Sequence, residues 1–193
     1  NGLTIASNGS GLISNYNSLD VNNTLITVTV KSITLTAPLI NKTYDGGYTY
    51  TMTANDLTNM STQLVGGDRV SSASVAFTTN TAGANKTVNL NAVTIDDGNA
   101  GQNYNVARAS TSNSVINKAP LTIAAANDAK FVTLSDTNGY AGFIINGFVN
   151  GETQAQLVGS GTITRTNASN NGAGQYNGVL VPSGYTSNNY EIT

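Results

Sequence analysis

The sequence predicts a mainly β protein built from small domains in tandem. Each would be β-grasp-like or a small sandwich with one short helical segment, strung in an elongated array. Three observations carry that expectation. Asn, Thr, Ser, Gly and Ala fill the places that Lys and Glu usually take, and only 9% of the 193 residues are charged. Thr and Val favour pleated, half-buried surfaces, while Asn and Gly favour turns. Apolar residues alternate at period two over much of the chain. Finally, the pair Asn-Tyr stands at Asn15-Tyr16, Asn103-Tyr104 and Asn189-Tyr190. A recurrence of about 87 residues is too long for a solenoid coil and suits one small domain.

Composition also limits function. There is no Cys and no His, and the net charge is −2. General acid–base work at neutral pH draws most often on His, and a Cys nucleophile is excluded, so the chain reads as a non-enzyme. Zinc sites lack their usual ligands. A polybasic nucleic-acid surface is ruled out. No apolar run is long enough to span a bilayer. The lack of Cys fits both a secreted chain and a reduced compartment.

Taken in order, residues 1–31 are too short for a domain. They read as the C-terminal strands of a preceding repeat, with Thr24–Val30 as a strand whose β-branched residues on both faces suit cover on both sides. A first module spans 32–118. It opens at Ile33-Thr34-Leu35-Thr36-Ala37-Pro38. Asp45-Gly46-Gly47 marks a turn, and Tyr48–Ala54 alternates as a strand with one buried face. Leu57, Met60 and Leu64 shift to helical spacing, which predicts one or two turns of helix ended by Gly66-Gly67. Val70–Thr78 returns to strand, with Ala73, Val75 and Phe77 inward. Asn80–Lys86 reads as a loop. Val88 and Leu90 set one phase and Val93 and Ile95 the other, which predicts a bulge at Asn91-Ala92. The Asp96–Gln102 loop, Tyr104 and a strand near Ser114–Asn117 close the module.

A second module spans 119–193. Leu121–Ala125, Tyr140–Ile145, Gly161–Arg165 and Gln175–Val181 read as its strands. Phe148-Val149-Asn150-Gly151-Glu152 aligns with Leu64-Val65-Gly66-Gly67-Asp68. A strand follows the Asn-Tyr pair in the first module and has no counterpart here. The exposed edges would invite strand addition from a neighbour or a docked N-terminal segment.

These spellings resemble two known families. Lys42-Thr43-Tyr44-Asp45-Gly46, Leu64-Val65-x-Gly67-Asp68, Ala82-Gly83-x-x-Lys86-Thr87-Val88, Asn103-Tyr104 and Ile116-x-Lys118-Ala119-Pro120-Leu121-Thr122 are similar to the YDG domain. Gly147-Phe148-Val149-Asn150-Gly151-Glu152-Thr153, Gly174-x-Tyr176 and Asn189-Tyr190 are similar to the MBG domain. That family usually has Lys-x-Tyr-Gly near its start, where this chain has Lys130-Phe131-Val132-Thr133. Both domains occur in large bacterial surface adhesins of the filamentous-haemagglutinin, two-partner-secretion kind. The resemblance implies an extracellular stalk or spacer at the bacterial cell surface, with a part in attachment. It implies neighbouring modules as partners, and a surface glycan or protein as a further one. It implies no membrane insertion and carries no catalytic residues.

Asp96, Asp97 and Asn99, with Asn103, could offer oxygen ligands to Ca²⁺, joined by Glu152 or Asp20. The loop lacks the closing Glu of an EF-hand and reads more simply as a solvated Asx-rich turn. Tyr48, Tyr50, Tyr140 and Tyr185 are candidates for an exposed carbohydrate- or protein-binding patch, the alternative to a spacer. The tyrosines of the Asn-Tyr pairs read as core-edge rings whose hydroxyls find backbone partners. Lys42, Lys86, Lys118 and Lys130 read as solvated, although self-crosslinking to Asn or Asp is open. Asn-x-Ser/Thr triplets at Asn8, Asn22, Asn41, Asn59, Asn85 and Asn167 arise easily in such a composition. A β-helix would repeat every 20-odd residues, and no such period is present.

Overall fold

The computed structural model describes residues 28–193. Gly2–Ile5, Asn15-Tyr16, Asp20 and most of the Thr24–Val30 segment lie outside the described residues. Val28–Val30 is not strand. The first strand, β1, begins one residue later and runs Lys31–Thr36.

The protein is mainly β, with one short helical segment in each module. In the first module, β2 (Asn41–Thr43) and β3 (Thr49–Tyr50) flank the Tyr-Asp-Gly turn, and helix α1 (Ala54–Ser61) follows. The long strands β4 (Arg69–Phe77) and β5 (Gly83–Asp96) pair antiparallel. After them come β6 (Tyr104–Ala109) and β7 (Thr111–Asn117). The five-stranded sheet has the order β2-β7-β5-β4-β3, and β1 pairs in parallel with β6 as a separate ribbon.

In the second module, β8 (Ala119–Ala125) lies between β9 (Phe143–Asn146) and β12 (Tyr190–Ile192). A second ribbon joins β10 (Thr162–Arg165) to β11 (Leu180–Ser183). The helical segment here is a single 3-10 turn at Gln154–Gln156. The two modules share one device. The strand opening each module pairs in parallel with the strand that begins on the tyrosine of its Asn-Tyr pair, so that Lys31 faces Tyr104 and Ala119 faces Tyr190, and the strand of the first module without a counterpart in the second is β7.

Several expectations hold. The phase shift in β5 is a bulge: Ala92 opposes Ser74, Leu90 opposes Val75, and Asn91 is the extra residue. A second register shift between Val70 and Ser72 places Val70 and Ala73 both inward, an arrangement that strict alternation forbids.

Others are corrected. The expected strand Tyr48–Ala54 shrinks to Thr49–Tyr50, because Thr53 is a helix cap. Its hydroxyl accepts the Asp56 N–H, and the Asp56 carboxylate accepts the Thr53 N–H at 2.8 Å. That capping box starts the helix at Ala54, three residues ahead of Leu57. The Asn80–Lys86 loop ends early, since β5 begins at Gly83. Tyr140–Gly142 belongs to a turn, with Tyr140 and Gly142 at positive φ, so β9 starts at Phe143. The segment from Gln175 is irregular until Leu180, because the chain turns at Gly178 (φ 69°) and Tyr176 folds back over Arg165.

The largest departure concerns the core. Separate beads would each bury their own strands. Instead, buried side chains of both modules form one cluster, in which Leu35, Tyr44, Val75 and Ile116 are continuous with Leu121, Ile123 and Tyr190. Residues 31–193 form one compact unit.

Candidate functional site

The shared core meets the surface at a junction built from two turns. The first is the Tyr-Asp-Gly turn. Lys42 holds it closed: its ammonium donates to Asp45 Oδ1 at 2.7 Å, to the Gly47 carbonyl at 2.8 Å and to the Thr49 carbonyl at 3.0 Å. The ammonium itself lies over the Phe77 ring, 5.4 Å from its centroid. All three donors are thus occupied, so Lys42 is not the solvated lysine expected from sequence. Asp45 also accepts the Gly47 N–H. Burial acts to raise its pKa, but Lys42 and that N–H outweigh it and hold the carboxyl below its usual range. Gly46 sits at φ +76°, and a Cβ there would come within 2.7 Å of Asn150 Cβ in the second module. The glycine is needed both for its left-handed backbone and for this close approach.

The second turn is Val149–Glu152. Asn150 and Gly151 both have positive φ, as a type I′ turn requires, and the Glu152 N–H closes it on the Val149 carbonyl at 2.9 Å. Tyr190, 1% exposed, inserts beneath it. The Val149 N–H donates to the Tyr190 hydroxyl at 3.1 Å, and that hydroxyl donates to Glu152 Oε2 at 2.6 Å.

Tyr44 of the first module, 3% exposed, donates to the other oxygen, Glu152 Oε1, at 2.5 Å. One carboxylate therefore takes a hydroxyl from each module. The Tyr44 and Tyr190 rings meet edge to face at 5.6 Å, and Phe148 packs on Tyr190 in the same way at 5.4 Å. Such pairs add about 0.5–1.5 kcal/mol beyond the area they bury. Asn189 adds a further tie, since its Oδ1 accepts the Ala82 N–H at 3.0 Å. Burial first, and then the bond to Glu152, push the Tyr44 and Tyr190 hydroxyls above the ordinary phenol range, that of Tyr44 well above it.

The first module repeats the second turn. Gly66 and Gly67 are both left-handed, and the Asp68 N–H closes on the Val65 carbonyl. The Val65 N–H donates to the Tyr104 hydroxyl at 3.2 Å, which donates to Asp68 Oδ2 at 2.5 Å. The Asp68 bond and then burial raise the Tyr104 hydroxyl. The alignment of Leu64–Asp68 with Phe148–Glu152 is therefore a structural equivalence. Tyr104 and Tyr190 are core-edge rings, as expected, and their hydroxyls find a carboxylate as well as the backbone. Sequence reasoning set Glu152 aside as a calcium ligand and did not pair Tyr44 with it. The visible signal was an acidic residue closing both aligned turns.

The remaining candidates do not converge. The Asp97 carboxylate is spent on the loop itself, accepting N–H groups of Asn99, Gly101 and Asn103 at 2.7–3.0 Å. Burial opposes ionisation there, yet these donors lower the Asp97 pKa. Asp96 faces Arg69 at 3.2 Å, and Asn99 donates to Asn103. Among the described residues, no group of three His, Cys, Asp or Glu side chains is placed to hold a metal ion.

The four candidate tyrosines stand apart. Tyr48 is half exposed beside β3. Tyr50 leans on the helix cap, donating to Asp56. Tyr185 packs on Phe143 and accepts from Gln154. Tyr140 lines a pocket of about 750 Å³ with Tyr176, Arg165 and Asn171. There Asp136 is clamped by Lys130 at 2.8 Å and Arg165 at 3.2 Å, and the Lys130 bond foremost holds its carboxyl low. Lys130 also donates to the Leu134 carbonyl. It ties the Lys130–Thr133 segment much as Lys42 ties its own turn, but Val132 brings no hydroxyl.

Tandem β modules sharing a core through a tyrosine–carboxylate joint define the class of protein. Family models then match two stretches: the YDG domain at residues 29–113 and the MBG domain (YGX type) at residues 121–193. The chain holds a YDG domain followed in tandem by an MBG domain. Comparison with curated proteins and with solved structures gave no match.

Proposed function

We propose that this chain is a stalk or spacer segment of an extracellular adhesin, borne on a bacterial cell surface and serving attachment by holding other parts at a distance. The observation that carries the reading is the Glu152 carboxylate shared by Tyr44 and Tyr190. A spacer transmits position only if its joints resist bending. Here a hydrogen-bonded joint over a common apolar core replaces a free linker. The surface carries few charges, which suits an inert, hydrated shaft. No helix among the described residues is long and apolar enough to cross a membrane. The work would be mechanical, with no group asked to perform chemistry.

The test is force spectroscopy on the chain held between handles. A spacer should show a fixed end-to-end length and a joint that yields at lower force in Tyr44→Phe. A joint already extended at negligible force in the parent chain would count against it.

A second reading rests on the Tyr140 pocket. Its aromatic faces beside Asn and Arg donors suit a carbohydrate or a polar peptide. Glycan-array binding abolished by Tyr140→Ala and kept by Tyr48→Ala would favour that module function over the spacer.

A further inference from the structure

The two aligned turns are occupied differently. At Glu152 both carboxylate oxygens take a tyrosine hydroxyl, one from inside the module and one from the module before it. At Asp68 only Oδ2 is so engaged, by Tyr104. Among the described residues no donor reaches Asp68 Oδ1.

The surroundings also match. Val65 donates to Tyr104 as Val149 donates to Tyr190. The strand-opening N–H closes on Asn103 as it does on Asn189. The left-handed pair Gly66-Gly67 stands for Asn150-Gly151. Gly66 is exposed and has open space where a Cβ would lie, so it leaves room for a glycine-bearing turn like that of Gly46.

We propose that the Asp68 turn is the receiving half of a second joint, built to take the tyrosine hydroxyl of a Tyr-Asp-Gly turn from another YDG-type module on its N-terminal side. The occupant follows from the equivalent site, where Tyr44 is that hydroxyl. A YDG module would then be two-ended, presenting Tyr44 at one end and accepting at Asp68 at the other. It could be added in series indefinitely with the same joint. The MBG module accepts at Glu152 but has Val132 in place of the tyrosine, so it cannot donate onward by this chemistry. The inference rests on the spacer reading and extends it by giving the array a direction and naming its repeating bond.

The experiment uses the full chain with a second copy of residues 31–118 inserted between Lys118 and Ala119. The first copy's Tyr44 then faces the inserted copy's Asp68, and the inserted copy's Tyr44 faces Glu152. Spin-label pairs across each joint report distance distributions by pulsed electron resonance, with circular dichroism as the check on folding. The expected result is a single narrow peak at both joints. Asp68→Ala in the inserted copy, or Tyr44→Phe in the first, should each cause loss of the narrow peak at the new joint alone. The second variant leaves the receiving module's own turn untouched, so it answers even if Asp68→Ala unfolds that module. A narrow peak at the Glu152 joint with a broad one at the new joint overturns this inference and leaves the spacer reading standing. A broad distribution at the Glu152 joint sinks the spacer reading itself. A narrow new joint indifferent to both substitutions overturns the tyrosine–carboxylate assignment.

Discussion

Replacing Tyr44 by Phe removes one oxygen and leaves the ring in place. The hydroxyl lost is 2.5 Å from Glu152 Oε1, and a hydrogen bond to a charged acceptor contributes about 1.5–3 kcal/mol. Glu152 is only half-buried and keeps the Tyr190 hydroxyl, so water offsets part of the loss. The expected destabilisation is about 1–2 kcal/mol. Glu152→Gln keeps the shape, removes the charge and weakens both hydroxyl bonds, for about 2–3 kcal/mol. In the double variant the shared bond is not lost twice, so the two effects should fall short of additivity by about 1 kcal/mol. Urea unfolding supplies the measurement, followed by far-UV circular dichroism and by tyrosine fluorescence, since the chain has nine Tyr and no Trp. As a control, Tyr50→Phe, whose hydroxyl serves Asp56, should add to Glu152→Gln within about 0.3–0.5 kcal/mol. A Tyr44–Glu152 coupling no larger than that control would refute the reasoning, because the joint would then contribute nothing to stability.

Three further outcomes follow from the same geometry. Gly46→Ala forces a left-handed alanine against Asn150 and should cost about 1–3 kcal/mol, with partial recovery in combination with Asn150→Gly; urea midpoints decide. Tyr44, Tyr104 and Tyr190 all have hydroxyls raised in the folded state. The folded chain therefore retains phenolic protons that the unfolded chain sheds, and their contribution is complete below about pH 10 and lost as pH rises beyond it. Stability measured against pH should fall more gently in Tyr44→Phe; equal slopes would contradict the shift. Lys42→Met removes three donor bonds and the ammonium over Phe77, so it should cost about 1–3 kcal/mol and speed hydrogen exchange at the Gly47 amide.

Much of the fold was legible because strand periodicity is local. Alternation marked β4 and β5, and the phase change from Leu90 to Val93 located the bulge at Asn91. Helical spacing of Leu57 and Met60 found α1, but the helix stops at Ser61, short of Leu64 and of the expected stop at Gly66-Gly67. Thr53 was misread because Thr49, Thr51 and Thr53 continue the strand pattern, while capping depends on Asp56 three residues later. The pairing of Tyr44 with Glu152 spans more than half the chain and leaves no mark in either local pattern. The common core was hidden for the same reason: Leu121 and Tyr190 read as the interior of one module, and only the tertiary arrangement makes them continuous with Leu35 and Ile116. The Asp97 loop looked like an offer of oxygen ligands because sequence does not show that its carboxylate already faces three backbone N–H groups.

Residual dipolar couplings would show whether the two modules move as one body. Backbone N–H couplings would be recorded for residues 31–118 and 119–193 in one weakly aligned sample of the intact chain. If the Glu152 joint fixes the YDG module on the MBG module, a single alignment tensor fits both sets. Two tensors of different magnitude would show modules that reorient independently, and the account would be wrong.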